Sequence, residues 1–385
     1  MPQNAAFTKG QTSHLHLLQG EIINFNKNIT IINSAFDTNG AFICQQPGIY
    51  SFNMFSLTMS DVNVWLELFK NDQIVASLFG NTPHDYADAG NSVILHLNAE
   101  DRIDVRAHSN YTTHLFGTTD QVYTTFTGVL LSPDFQIDNQ IGKREAFSVG
   151  LTHHFHLEHG EVVALWLELY HNDDYVNSAF GHTPSRYADA GNCAILHLRK
   201  DDTVYIKGRN EYGIDLYGTS DEIYDTFSGS LLTASSFAYP EIGSSTDEEV
   251  AFSVGLTHTM SGTKLIFDRI FINIGNGYHE TTGVFNAPKS GIYVFYYYAL
   301  STQNKVIYVD LYHNYHYVNS LYGHISNGYA NGGNAATLEL MSGDTVYIKV
   351  RDTNSEFYGS SDEIYCTFSG HFVSPSFKFH PGPIG

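Results

Sequence analysis

The feature that most constrains this chain of 385 residues is that it repeats itself three times. The stretches SLFGNTPHDYADAGNSVILHLNAEDRIDVRAH from residue 77, SAFGHTPSRYADAGNCAILHLRKDDTVYIKGR from 178 and SLYGHISNGYANGGNAATLELMSGDTVYIKVR from 320 align without a gap. Each is followed by a second shared block, LFGTTDQVYTTFTGVLL, LYGTSDEIYDTFSGSLL or FYGSSDEIYCTFSGHFV. The openings match as well, as AAFTKGQTSHLHL, AFSVGLTHHFHL and AFSVGLTHTM. The middle copy is shorter. Its offset from the first is 140 at Ile23 and Val163 but 101 at Trp65 and Trp166, so 39 residues, 24–62 of the first copy, have no counterpart in it. The flanks on both sides stay closely similar, which is the pattern of one excised block. A skipped exon or assembly gap and a genuinely shortened domain both account for it.

The copies read as strands. In DTVYIKVR, Val346, Ile348 and Val350 alternate with Tyr347, Lys349 and Arg351, the period of a half-buried strand, and DTVYIKGR and DRIDVRAH repeat it. GIYVFYYYAL, residues 291–300, is apolar or aromatic at nearly every position, as in a strand packing on its own core one way and on another subunit the other way. The 26 Tyr, 26 Phe and 33 Gly, spread over short segments with Asn and Asp turns, favour an all-β sandwich or jelly roll. The expected organisation is a jelly roll at 1–134, a linker at 135–145, a truncated domain at 146–235, a linker at 236–249, a jelly roll at 250–377 and a tail at 378–385.

Charge and motifs exclude several functions. A net charge of −21, from 40 acidic and 19 basic side chains, repels a phosphate backbone, so nucleic acid is not an expected partner. Residues 1–20 hold no apolar run fit for a signal peptide, and no 18-residue apolar stretch suggests a membrane span. Cys44, Cys193 and Cys366 occupy non-matching positions in the three copies and form no disulfide framework. There is no nucleophile elbow, HExxH or Walker loop, so no enzyme and no organic cofactor is expected.

The third copy carries Phe267, Asn273, Tyr278, Phe285, Gly291, Tyr293, Phe295 and Tyr297 at the spacing of the globular C1q domain, which it closely resembles. The first copy keeps Phe42, Gly48, Tyr50 and Phe52 but has Met54 in place of the last aromatic. The middle copy lacks this block. All three share the closing Phe-x-Gly, as Phe126 and Gly128, Phe227 and Gly229, and Phe368 and Gly370. The resemblance implies a ten-stranded jelly roll related to tumour necrosis factor, assembly as trimers, and binding rather than catalysis. It also implies secretion. Invertebrate members, abundant in bivalve molluscs, act as pattern-recognition proteins and lectins, and some are His-rich metal binders. No Gly-X-Y run marks a collagen stalk here. Three copies in one chain suggest an intramolecular pseudo-trimer, against separate domains that each trimerise with other chains.

The candidate sites each have a plainer alternative. Relatives that bind Ca²⁺ near the trimer apex direct attention to Asp85, Asp88, Asp189 and Asn331, which serve equally as turn residues. His14 with His16, and His154 with His156, are two apart on apparent strands and could share a transition metal, with His313 and His316 at a strand end in the third copy. Scattered surface histidines would look the same. Tyr86, Tyr187 and Tyr329 are equivalent and could stack on a glycan or pack between domains. Tyr293, Phe295 and Tyr297 are the interface candidates. The expected function is ligand binding in innate defence, toward glycans or microbial surfaces. An acidic, His-rich carrier of Ca²⁺ or transition metal in mineralisation is the alternative.

Overall fold

The computed structural model describes residues 4–81, 86–134, 146–157, 165–181, 189–209, 214–220, 222–232, 249–325 and 327–375. Every regular element among them is a β-strand. No described helix is long and apolar enough to cross a membrane.

The first copy builds two five-stranded antiparallel sheets that share one core. One sheet runs in the order Lys27–Ile32, Ala6–Gly10, Thr125–Pro133, Gly48–Leu57, Asp88–Leu97; the other runs Ala35–Phe36, Phe42–Ile43, Arg102–Ala107, Val64–Lys70, Gln73–Gly80. Phe7, Phe52 and Phe126 from the first sheet meet Phe42, Leu66 and Val105 from the second, all buried. The third copy repeats the plan strand for strand. Arg269–Ile274, Ala251–Gly255, Thr367–Ser374, Gly291–Leu300 and Asn331–Leu340 form one sheet, and Tyr278–His279, Val284–Asn286, Thr345–Val350, Val306–His313 and His316–His324 the other. The alternation read in DTVYIKVR holds there, with Val346, Ile348 and Val350 buried.

The middle copy is built differently. Its strands form two pairs, Ala146–Gly150 with Thr226–Ser230 and Phe155–Leu157 with Ile214–Leu216, and one three-stranded sheet of Asp174–Gly181, Leu165–His171 and Val204–Gly208. Residues 189–198 repeat the sequence of strand Asp88–Leu97 yet are irregular. The reason is pairing. Asp88–Leu97 takes its ladder from Gly48–Leu57, and the middle copy has no counterpart of that strand among its described residues. An unpaired strand leaves its backbone donors and acceptors without a ladder. The half-buried strand expected for DTVYIKGR is corrected on the same ground. Val204–Gly208 forms, but Ile206 is 42% exposed where the equivalent Val105 and Ile348 are 2% and 1%.

Candidate functional site

Where the three copies meet, one set of contacts recurs three times. Asn91, Asn192 and Asn334 are equivalent, each the fourth residue of the repeated Asp-Ala-Gly-Asn or Asn-Gly-Gly-Asn motif. Asn91 Nδ2 donates to its own copy's Ser77 carbonyl and to the Tyr224 carbonyl of the middle copy, both at 2.8 Å, and its Oδ1 accepts the Thr226 hydroxyl at 2.6 Å. Asn192 does the same toward the third copy, through Ser178 (2.7 Å), Tyr365 (3.1 Å) and Thr367 (2.5 Å). Asn334 reaches the first copy through Ser320 (2.8 Å), Tyr123 (3.1 Å) and Thr125 (2.6 Å).

Backbone bonds accompany each amide. The N–H groups of Ser77, Ser178 and Ser320 donate to the carbonyls of Ile223, Ile364 and Val122 at 2.7, 3.0 and 2.9 Å. A contact between ionisable side chains recurs as well: His108 with Glu222 at 3.9 Å, Arg209 with Glu363 at 3.0 Å, and Arg351 with Asp120 at 3.3 Å, the last two being charge pairs. Each copy therefore touches both others. A buried amide whose donors and acceptor are all used fixes one register, because any slip leaves it unsatisfied.

Treating this motif as a set of turns misses its asparagines, although the sequence holds a signal for them. The same asparagine stands at one equivalent position of all three copies, just ahead of the apolar part of each segment.

The calcium candidates divide. Asp85 lies outside the described residues. Asp88, Asp189 and Asn331, one from each copy, are brought together: Asp189 Oδ2 accepts the Gly90 N–H at 3.1 Å, Asn331 Nδ2 donates to the Asp189 carbonyl, and a Cβ on Gly332 would stand 2.9 Å from Asp88 Oδ2. Poor hydration raises both carboxyls. Asp88 is held well above the usual range by burial and by the neighbouring Asp189 charge, and Asp189 is pushed up to about 7 by burial, with Asp225 adding. Asp225 itself is raised to about 6 by burial. Chemically, burial beside a like charge favours the protonated carboxyl here.

The glycan candidates sit at the same junctions. Tyr187 lies outside the described residues. The Tyr86 ring meets Tyr322 of the third copy edge-on at 5.7 Å, and Tyr329 meets Phe180 of the middle copy in the same way at 5.7 Å. Both are half-buried and pack between copies.

Tyr293, Phe295 and Tyr297 are corrected. They point into the third copy's own core, against Phe285, Phe368 and Asn319. Successive side chains of a strand face opposite ways, so the residues facing the other copies are Val294, Tyr296 and Tyr298, with Phe55 of the first copy and Cys193 of the middle one. Gly90 and Gly333 stand where any Cβ would collide with the Phe55 or Tyr298 ring, which lets these rings lie flat on their neighbours.

The histidines remain dispersed, each with its own partner. His14 Nδ1 accepts the Gly117 N–H at 3.3 Å, while His16 stacks on His114 with centroids 4.1 Å apart. His154 Nδ1 accepts the Gly218 N–H, His156 pairs with Asp215, and His313 Nε2 lies 2.9 Å from Asp344. His316 is opposite His313 across a hairpin. Only His16 and His156 of the two sequence pairs lie within strands; His14 and His154 precede them. Among the described residues no group of three or more His, Cys, Asp or Glu is arranged to hold a metal ion.

The chain is thus a set of three tandem all-β units joined by side-chain and backbone contacts. The C1q domain model matches residues 6–131, 144–232 and 251–373, and the chain belongs to the C1q domain family. This is a family of non-catalytic recognition domains, and the chain is not an enzyme. It is 33% identical over 129 residues to complement C1q tumor necrosis factor-related protein 6 of Mus musculus, a match covering 32% of this chain and 49% of that protein. The Rattus norvegicus protein of the same name gives the same figures, and complement C1q tumor necrosis factor-related protein 3 of Mus musculus is 32% identical over 129 residues, covering 32% and 51%. The chain thus spans about half the length of the curated relatives it matches. Among solved structures, the globular domain of zebrafish complement 1qA is similar at 20% identity and a TM-score of 0.28, covering 34% of this chain and 99% of that one.

Proposed function

We propose that this chain is a secreted recognition protein whose three C1q-type domains close into one intramolecular trimer. The observation that carries the reading is the direction of the asparagine contacts: first to middle, middle to third, third to first. A head-to-tail interface that returns to its start after three steps forms a closed ring. Covalent linkage makes that closure independent of protein concentration, so the loops of three domains are presented together even at high dilution. A surface built this way suits a multivalent target, and glycans or other repeated microbial surface patterns are the class proposed.

Calcium belongs to the same reading. Asp88 and Asp189 supply hard oxygen donors at the junction, short of the six to eight that Ca²⁺ prefers, and Asn331 turns its amide nitrogen toward the Asp189 carbonyl.

Two measurements test the reading. Light scattering across a dilution series is expected to give one species near 43.0 kDa; a mass three times larger, falling on dilution, overturns the intramolecular ring. A glycan array, with and without Ca²⁺, is expected to show saturable, sugar-specific binding. Stoichiometric metal uptake without any glycan signal would instead favour a metal carrier.

A further inference from the structure

Among the described residues the middle copy leaves unfilled the place that the central strand takes in its two complete neighbours. In the first copy, strand Gly48–Leu57 lies between Thr125–Pro133 and Asp88–Leu97 and is bonded to both. In the third, Gly291–Leu300 lies between Thr367–Ser374 and Asn331–Leu340. The corresponding walls of the middle copy are strand Thr226–Ser230, which pairs only with Ala146–Gly150, and the irregular segment 189–198. Only residues 158–164 separate strands Phe155–Leu157 and Leu165–His171 there, too few to supply a ten-residue strand.

A cleft of about 2900 Å³ occupies this place. It is well beyond the roughly 300–1,000 Å³ of a small-molecule site, so a polypeptide segment fits it better than a metabolite. Its inner wall includes Phe147, Leu198 and Ile206, all exposed although their equivalents in both complete copies are buried. Its outer wall includes Tyr296, Tyr298 and His371. His371 is only 6% exposed, and neither of its ring nitrogens has a hydrogen-bond partner. An unpartnered imidazole buried against a cleft points to a group that arrives from outside.

We infer that the middle copy is a strand acceptor, which binds an extended segment of about ten residues from a partner polypeptide by β-strand addition. The segment runs antiparallel to both Thr226–Ser230 and residues 189–198. Aromatic or aliphatic side chains at every second position face Phe147 and Ile206, in the manner of Tyr50, Phe52 and Met54 in the first copy. The intervening positions face Tyr296, Tyr298 and His371, where a hydroxyl or amide meets the imidazole. The inner wall stands without the ring proposed above; the outer wall depends on it. A second copy of this chain is a poor donor, since giving up Gly48–Leu57 or Gly291–Leu300 would strip a complete core of Tyr50 and Phe52 or of Tyr293 and Phe295, each at most 1% exposed. The donor is therefore an unfolded or terminal segment.

The test uses the full chain and a fluorescein-labelled peptide with the sequence of residues 48–57, GIYSFNMFSL, carrying lysines at its ends for solubility. Anisotropy is expected to show saturable one-to-one binding below about 100 µM, with new amide protection at 189–198 and 226–230. The chain variant Ile206→Asp, which places a charge on an already exposed wall, is expected to weaken binding by at least about tenfold. A peptide with Asp in place of its Tyr and first Phe is expected not to bind. Absence of saturable binding, equal binding by the Ile206→Asp chain, or a strand-exchanged dimer in light scattering overturns the proposal. A monomeric chain that binds no peptide sinks the acceptor alone, and leaves the ring reading standing.

Discussion

Phe7, Phe147 and Phe252 occupy the same place in the three copies and keep the same ring partner, Phe126, Phe227 or Phe368, at centroid distances of 5.0, 5.1 and 4.8 Å. Phe7 and Phe252 are 0% exposed; Phe147 is 47% exposed. Local sequence and the nearest contact are therefore not what buries this ring. In the complete copies the block absent from the middle copy covers it, with Phe36, Phe42 and Phe52 on Phe7 and Tyr278, Phe285 and Phe295 on Phe252. The comparison shows that the block holding four strands of the first copy, the central one among them, converts a set of hairpins into a cored domain. The middle copy keeps its outward contacts to both neighbours without that core.

The largest effect is expected from restoring the missing block. Inserting residues 24–62 of the first copy between Val163 and Ala164 should bury Phe147 and Ile206, order 189–198 as a strand and abolish binding of an apolar-surface dye. Dye fluorescence and the urea midpoint read this directly. If both stay unchanged, the exposure of the middle copy has another cause and the comparison fails.

Next comes the same truncation in two contexts. Phe252→Ala removes a fully buried ring, and a loss of about 3–5 kcal/mol is expected from the cavity and lost transfer energy. Phe147→Ala removes a half-exposed ring and should cost under about 1 kcal/mol. Urea denaturation of the two variants side by side makes the check. Equal losses would mean that the middle copy is cored in solution.

The third effect is smaller and concerns the junctions. Asn334 is 1% exposed, while Asn192 is half-buried because its own segment has no ladder. Asn334→Ala leaves the Tyr123 and Ser320 carbonyls without their donor, and about 1–3 kcal/mol is expected. Asn192→Ala should cost less, since Asn192 is itself only half-buried and gives up less on truncation. Hydrogen exchange at Ser320 and Ser178, whose N–H groups cross the same junctions, separates the two.

Much of this is legible in the sequence for a physical reason. Period-two alternation depends on which face is apolar, and that property belongs to each strand alone, so the sheets of the complete copies follow from DTVYIKVR and its equivalents. The failures share another cause. Tyr293, Phe295 and Tyr297 fall on the wrong face when read from sequence because GIYVFYYYAL is apolar on both, and only the pairing register decides which side meets the core. Residues 189–198 carry strand sequence without strand structure, since a ladder needs a partner that sequence distance does not reveal. The approach of Asp88 to Asp189 joins residues a hundred positions apart, and it arises from how copies pack.

The smallest effect concerns the one junction that uses histidine. Arg209 and Arg351 hold their charge at any ordinary pH, but the equivalent His108 is buried against Trp65, with centroids 3.8 Å apart, between Glu67 at 3.7 Å and Glu222 at 3.9 Å. Burial lowers the imidazole pKa, partly offset by Glu222. Burial and the Glu222 charge raise Glu67 to about 7, against the pull of Arg106. The signs oppose each other. The raised Glu67 contributes stability that is full below about 4.5 and is lost as pH rises through about 7. The lowered His108 contributes stability present above its ordinary value of 6.5 and lost as pH falls. Glu67 carries the larger displacement and the deeper burial, so the first-to-middle contact is expected to loosen between about pH 5.5 and pH 7.5, by under about 1 kcal/mol after the opposing effect of His108. Exchange at the Ser77 N–H, bonded to Ile223, should then accelerate beyond the intrinsic pH effect, while Ser178 and Ser320 do not follow. His108→Arg places a fixed charge beside both glutamates, lowers the Glu67 pKa and should remove the difference. A wild-type contact at Ser77 that holds as firmly at about pH 7.5 as those at Ser178 and Ser320 would show that the histidine is only a spacer.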